Sequence, residues 1–109
     1  MKTLLLIFAS VGVISLFGSS GYTQTKDDGK TIFLATKCQL CHSIQSDGIE
    51  RSGKKEYSDL SKIGAKRTAD WIMKYLKKQE TIDGVKHMKV LTNNDTEIET
   101  LAKWLASHK

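Results

Sequence analysis

The sequence predicts an all-α domain of about three main helices. Three observations point there. Apolar residues recur at helical spacing in separate stretches, capping residues stand just ahead of them, and nothing alternates with period two over a useful length. The first helix is expected to open near Asp27-Asp28, whose carboxylates suit an N-cap and the positive helix end. It carries Ile32, Phe33 and Thr36 on adjoining turns and runs into Cys38. A polar loop from Ser43 to Tyr57 follows. The second helix begins at Thr68, an N-cap, with Asp70 in its first turn. Trp71, Ile72, Tyr75 and Leu76 make one apolar face, and Lys77-Lys78 suit its negative end. The last helix opens at Thr92-Asn93-Asn94-Asp95, a capping-box pattern. Ile98, Leu101, Ala102 and Leu105 form its buried stripe, with Trp104 beside it. A short helix near Leu60-Ile63 fits the pattern weakly, and strands are not expected.

Residues 1–21 stand apart. Met1-Lys2 precedes an uncharged apolar run, Leu4 to Phe17, which breaks at Gly18-Ser19-Ser20-Gly21. A short basic start, an apolar stretch and small residues make a signal peptide, with cleavage fitting after Ser20 or Gly21. The alternative is an uncleaved anchor: a spanning helix needs roughly 17–25 apolar residues, and the run through Ser20 approaches the lower limit. No cysteine stands at the boundary to carry a lipid. Residues 22–109 are expected to form one domain outside the cytoplasm, periplasmic, and at a membrane only if the leader is retained.

That domain is small. Chains this short bury a modest fraction of their surface and often need a staple, a metal or a cofactor. The net charge of +5 fits either nucleic acid or acidic protein partners. Arginine is the residue that forks phosphates and reads bases. Only Arg51 and Arg67 are present, and no basic block exceeds two residues, so nucleic acid is set aside.

The strongest signal is Cys38-Gln39-Leu40-Cys41-His42. C-x-x-C-H reads as attachment of a c-type haem. Two cysteines three apart on a helical turn lie on one side, so each sulfur can add to one haem vinyl group. His42, next in line, then gives its imidazole to the iron. A thioredoxin-like disulfide needs a βαβ setting that is missing, and a structural zinc needs four ligands. His42, His87 and His108 are spaced like no zinc pattern.

A second axial ligand is expected, and methionine opposite histidine raises the potential. Met73 sits beside Ile72, where it reads as core filler. Met88, in the polar segment Gly84 to Lys89, is the favoured distal ligand, and adjacent His87 is its rival. His108, next to the end, is expected to be frayed and exposed.

With those residues the chain resembles the class I (mitochondrial-type) cytochrome c family, in its short bacterial monohaem form, over nearly all of residues 27–107. The correspondence runs through Gly29 and Phe33 on the first helix, the haem motif, Leu60, the Arg67-Thr68-Ala69-Asp70-Trp71 helix start, Met88, and Leu101 with Trp104 on the closing helix. It implies a small cytochrome c fold in which the first and last helices cross, Gly29 letting Trp104 approach beside Phe33. It implies one covalent haem c with its iron, and electron transfer rather than catalysis. Two positions depart. The family's proline two places before the leucine, whose carbonyl holds the proximal histidine, is Ser58 here, and the proline after the ligand methionine is Lys89.

Three functions follow in order. One is a soluble shuttle whose Lys37, Lys54, Lys55, Lys86 and Lys89 meet acidic redox partners. Another is a dedicated haem subunit of a periplasmic oxidoreductase. The third is an open-site haem enzyme or gas sensor, which follows if Met88 does not bind iron.

Overall fold

The computed structural model describes residues 26–54 and 57–109, together with Gly12. The expected leader, Gly12 apart, lies outside the described residues. Among them no helix is long and apolar enough to cross a membrane.

The element order is α1 (Lys26–Ala35), two short 3-10 turns (Cys38–Leu40 and Gln45–Asp47), α2 (Ile63–Lys66), α3 (Ala69–Leu76), a hairpin of β1 (Thr81–Ile82) and β2 (Val85–Lys86), and α4 (Asp95–Ala106). Helix α4 is the centre of the fold: α1, α2 and α3 all pack on it. Its predicted stripe is the core. Ile98, Leu101, Ala102, Trp104 and Leu105 are buried against Phe33 from α1, Ile72 and Leu76 from α3, and Ile44 and Ile49 from the loop after the motif. Met73 packs at the edge of this cluster, as expected of a filler.

The caps explain where the helices begin. Thr68 Oγ1 accepts the Trp71 amide at 3.2 Å. At α4 the cap is Asn94, whose Oδ1 accepts the Glu97 amide at 2.9 Å while its Nδ2 returns to Glu97 Oε1 at 3.2 Å. Asn93 adds a bond from Nδ2 to Glu97 Oε2 at 2.8 Å, so one carboxylate ties both asparagines to the first turn.

The crossing of α1 and α4 depends on one missing side chain. Gly29 is buried, and a Cβ added there would overlap Cβ and Cγ of Trp104. Phe33 meets the same indole with ring centroids 5.5 Å apart and a tilt of 58°. Gly29→Ala is expected to destabilise by about 1–3 kcal/mol through overpacking. Alanine's better helix propensity, about 1 kcal/mol, offsets only part of this. A denaturant midpoint equal to that of the wild type would show that the helices slide apart at no cost.

Two expectations need correction. Strands were not expected, yet Thr81 pairs with Lys86 and Ile82 with Val85 in an antiparallel hairpin. Its turn is Asp83-Gly84, both with positive φ (51° and 78°), the backbone that a two-residue hairpin turn requires. The second correction is His108, which is buried instead of exposed. Its Nδ1 bonds the Trp104 carbonyl at 2.9 Å, its Nε2 lies 2.9 Å from Asp47 Oδ2, and its ring meets the Trp104 ring edge-on at 4.7 Å. Its own carbonyl accepts the Gly64 amide at 2.6 Å. Partners on both ring nitrogens and on the backbone hold a residue that chain position alone would leave loose.

Candidate haem site

Helix α1 stops short of the motif. Thr36 still donates to Ile32 O at 2.9 Å, and Lys37 then turns left-handed with φ of 62°. This breaks the α-helix and restarts the chain as the 3-10 turn Cys38–Leu40. The Cys41 and His42 amides both reach Cys38 O, at 3.1 and 3.0 Å. Side chains three apart on such a turn eclipse one another, which puts the two thiols on one side. Both are free and half-buried. Burial pushes the Cys38 thiol up to about 11, with the Lys89 charge drawing part of that back, so it is protonated at neutral pH. Residues 52–53 close over the turn: Ser52 donates to Gln39 O at 2.8 Å, and a Cβ on Gly53 would overlap Leu40 O.

His42 is oriented from the opposite strand of loop. Its Nδ1 lies 3.0 Å from Ser58 O. A carbonyl only accepts, so Nδ1 carries the proton and Nε2 keeps the lone pair that a metal needs. Tyr57, next to Ser58, faces both halves of the site. Its ring is 5.7 Å from that of His42, and its hydroxyl donates to Met88 Sδ at 3.2 Å.

Residues 27–109 match the family model described as cytochrome c. The chain belongs to the cytochrome c family. Comparison with curated proteins and with solved structures finds no match. The match supports class I, and the all-α cytochrome c fold expected from the sequence is the one observed, a small hairpin added. A cytochrome c domain of this size carries one covalent haem c with its iron, and the protein is a haem c electron-transfer protein.

The residues present fit that group. Two reduced thiols on one side of a turn and an imidazole with a free Nε2 form a donor set for thioether attachment and one axial bond. Leu40, inside the motif, and Met88, which meets Tyr57, are both exposed. A flat apolar macrocycle covers such surface. A cavity of about 310 Å³ between the end of α1 and residues 89–93 is a separate feature; Lys37 and Lys89 line it, and Cys41, His42 and Met88 do not.

The segment carrying His87 and Met88 is held by side chains. Lys89 Nζ donates to Thr36 O at 2.6 Å, and Lys78 Nζ to Met88 O at 3.4 Å. His87 donates from Nδ1 to Lys89 O at 3.0 Å, and its ring stands edge-on to Tyr75 at 5.4 Å. Tyr75 in turn stacks on Trp71 at 5.1 Å, with the Arg67 guanidinium 3.9 Å above the indole. His87 is therefore half-buried against α3 and not solvated, and that burial lowers its pKa. Met88 is exposed and turned to Tyr57.

Asp59 braces the proximal side. Its Oδ2 accepts the Ser43 hydroxyl at 2.6 Å and the Gln45 amide at 3.1 Å, and its Oδ1 the Ser61 amide at 2.9 Å. Slight burial pushes the carboxyl up, but the bonds from Ser43, Ser61 and Gln45 outweigh it and hold the group well below its usual range. The stability that Asp59 lends is then complete above about pH 4 and is lost as pH falls further toward its folded value. Asp59→Asn is expected to flatten the acid-unfolding curve below about pH 4. Curves of equal slope for the two proteins would mean that these bonds do not persist in solution.

Tyr57, Asp59 and Lys78 were absent from the sequence reading of the site. Each acts on a residue ten or more positions away, and no spacing rule reports such pairs.

Proposed function

We propose that this chain is an exported single-electron carrier with haem c tied to Cys38 and Cys41 and with iron held between His42 and Met88. The observation that carries this reading is the convergence at Tyr57-Ser58: one residue holds His42 by its carbonyl, and its neighbour meets Met88 by its hydroxyl. The haem supplies reversible one-electron exchange between ferrous and ferric iron. His42 presents Nε2 because Ser58 occupies Nδ1. Met88 offers a thioether and is the distal ligand of this reading; His87, bonded through Nδ1 to the Lys89 carbonyl and packed edge-on to Tyr75, is its rival. With both axial positions filled, no coordination site is left for a substrate, which makes the protein a carrier and not an enzyme.

Lys37, Lys54, Lys86 and Lys89 are exposed, and Lys55 lies outside the described residues. They suit docking to redox partners with acidic surfaces, free or as part of a periplasmic oxidoreductase. Exposed charge pairs weaken with salt, so electron exchange with such partners slows as ionic strength rises. The leader places the protein in the periplasm, at the membrane if it is retained.

The reduced holoprotein tests the reading. It is expected to titrate as a one-electron couple and to bind carbon monoxide slowly. Rapid carbon monoxide binding would show an open iron site and favour the sensor or enzyme instead.

A further inference from the structure

The proximal histidine is held by a backbone carbonyl, and what aims that carbonyl is not proline, since the chain contains none. The Ser58 carbonyl shares its peptide plane with the Asp59 nitrogen and Cα. Fixing Asp59 therefore fixes the direction of the carbonyl. Three bonds to the Asp59 carboxylate do so, from the Ser43 hydroxyl, the Gln45 amide and the Ser61 amide. Two more bonds close the same seam: Leu60 N to Ser43 O at 2.9 Å and Ser46 N to Ser61 Oγ at 3.0 Å. The partners 43–46 directly follow His42, so the seam locks the histidine's own chain to the carbonyl that accepts the hydrogen bond from its Nδ1–H.

We propose that Asp59 is a positioning residue for His42, holding the Ser58 carbonyl on Nδ1–H and thereby setting the orientation and donor strength of the imidazole. The proposal rests on the reading that His42 binds iron. A fixed outer partner orients a metal-bound histidine and raises its basicity. Tyr57 lies in the same loop, so the seam also steadies the hydroxyl that meets Met88.

The test is hydrogen exchange of the His42 Nδ1 proton, followed by NMR in the reduced, diamagnetic holoprotein. Imidazole resonances shifted strongly upfield by the haem identify His42 as the ligand; their absence overturns that reading and, with it, this proposal. Where they are present, Asp59→Ala is expected to speed Nδ1–H exchange by about tenfold, the scale of one lost hydrogen bond. The α4 amides of Leu101 and Leu105 are expected to exchange as in the wild type. Asp59→Asn, which removes the charge but keeps an acceptor oxygen, is expected to fall between. Ser43→Ala deletes the 2.6 Å bond without a change of charge and carries the same expectation if Asp59→Ala does not fold. Unchanged Nδ1–H exchange overturns the proposal. So does a rise shared by the α4 amides, which would report global loosening. Equal acceleration in the Ala and Asn variants would report charge alone and overturns it as well.

Discussion

Alanine at both Cys38 and Cys41 is expected to remove haem from the chain on denaturing electrophoresis and to take most of the folded population with it. The reason lies in what the thiols tether. Leu40, inside the motif, and Met88, which meets Tyr57, are exposed apolar side chains, and such a side chain gives about 1.5–3 kcal/mol when fully buried. Together these are a sizeable share of the stability of an ordinary domain, about 5–15 kcal/mol. Among the described residues the largest fully buried side chains are only Phe33, Ile44 and Leu101. A covalent tether keeps the macrocycle at high effective concentration against this surface, where a free one would exchange with solvent. The two single variants are expected to keep haem through the remaining sulfur and to unfold at intermediate denaturant. Circular dichroism checks the outcome. A double variant that holds native helix content and the wild-type midpoint without haem would show that the group is cargo and not part of the core.

How far the sequence spoke for this structure depended on the range of the interaction. Helices α3 and α4 were legible because their caps are local: Thr68 and Asn94 each bond an amide three residues on. The haem motif was legible for the same reason, as Cys38, Cys41 and His42 are joined by bonds within one turn. The hairpin was missed although Asp83-Gly84 announces it, because two-residue strands leave no alternation to read. His108 was misjudged because its partner Asp47 is far away in sequence. The distal half of the site lay open between Met88 and His87 for a similar reason. Tyr57 meets Met88 and Tyr75 meets His87, and both contacts are tertiary, beyond the reach of any spacing rule. The departures at Ser58 and Lys89 find their explanation at this level too. Where proline would stiffen the backbone through its ring, this chain uses side-chain bonds from Asp59, Lys78 and Lys89 to the segments concerned.

Met88→Ala is expected to abolish the weak far-red absorption of the oxidised holoprotein, which reports the bond from methionine sulfur to iron. Truncation leaves no group of the chain in its place. His87 is held by its Nδ1 bond to the Lys89 carbonyl and by its contact with Tyr75, and the variant is expected to leave both in place. The vacated position is then expected to take solvent in the ferric state and carbon monoxide rapidly in the ferrous state. The potential is expected to fall, because a thioether opposite histidine favours the ferrous form. His87→Ala is expected to keep the band, and Tyr57→Phe to keep it with a shifted potential, since only the hydroxyl on Met88 Sδ is lost. Lys89→Ala probes the loop instead: without the 2.6 Å bond to Thr36 O the segment is less fixed, and the band is expected to bleach at lower temperature than in the wild type. Retention of the band in Met88→Ala would remove methionine from the iron. Its loss in His87→Ala as well would mean that His87, through its bond to the Lys89 carbonyl, holds the segment that presents Met88.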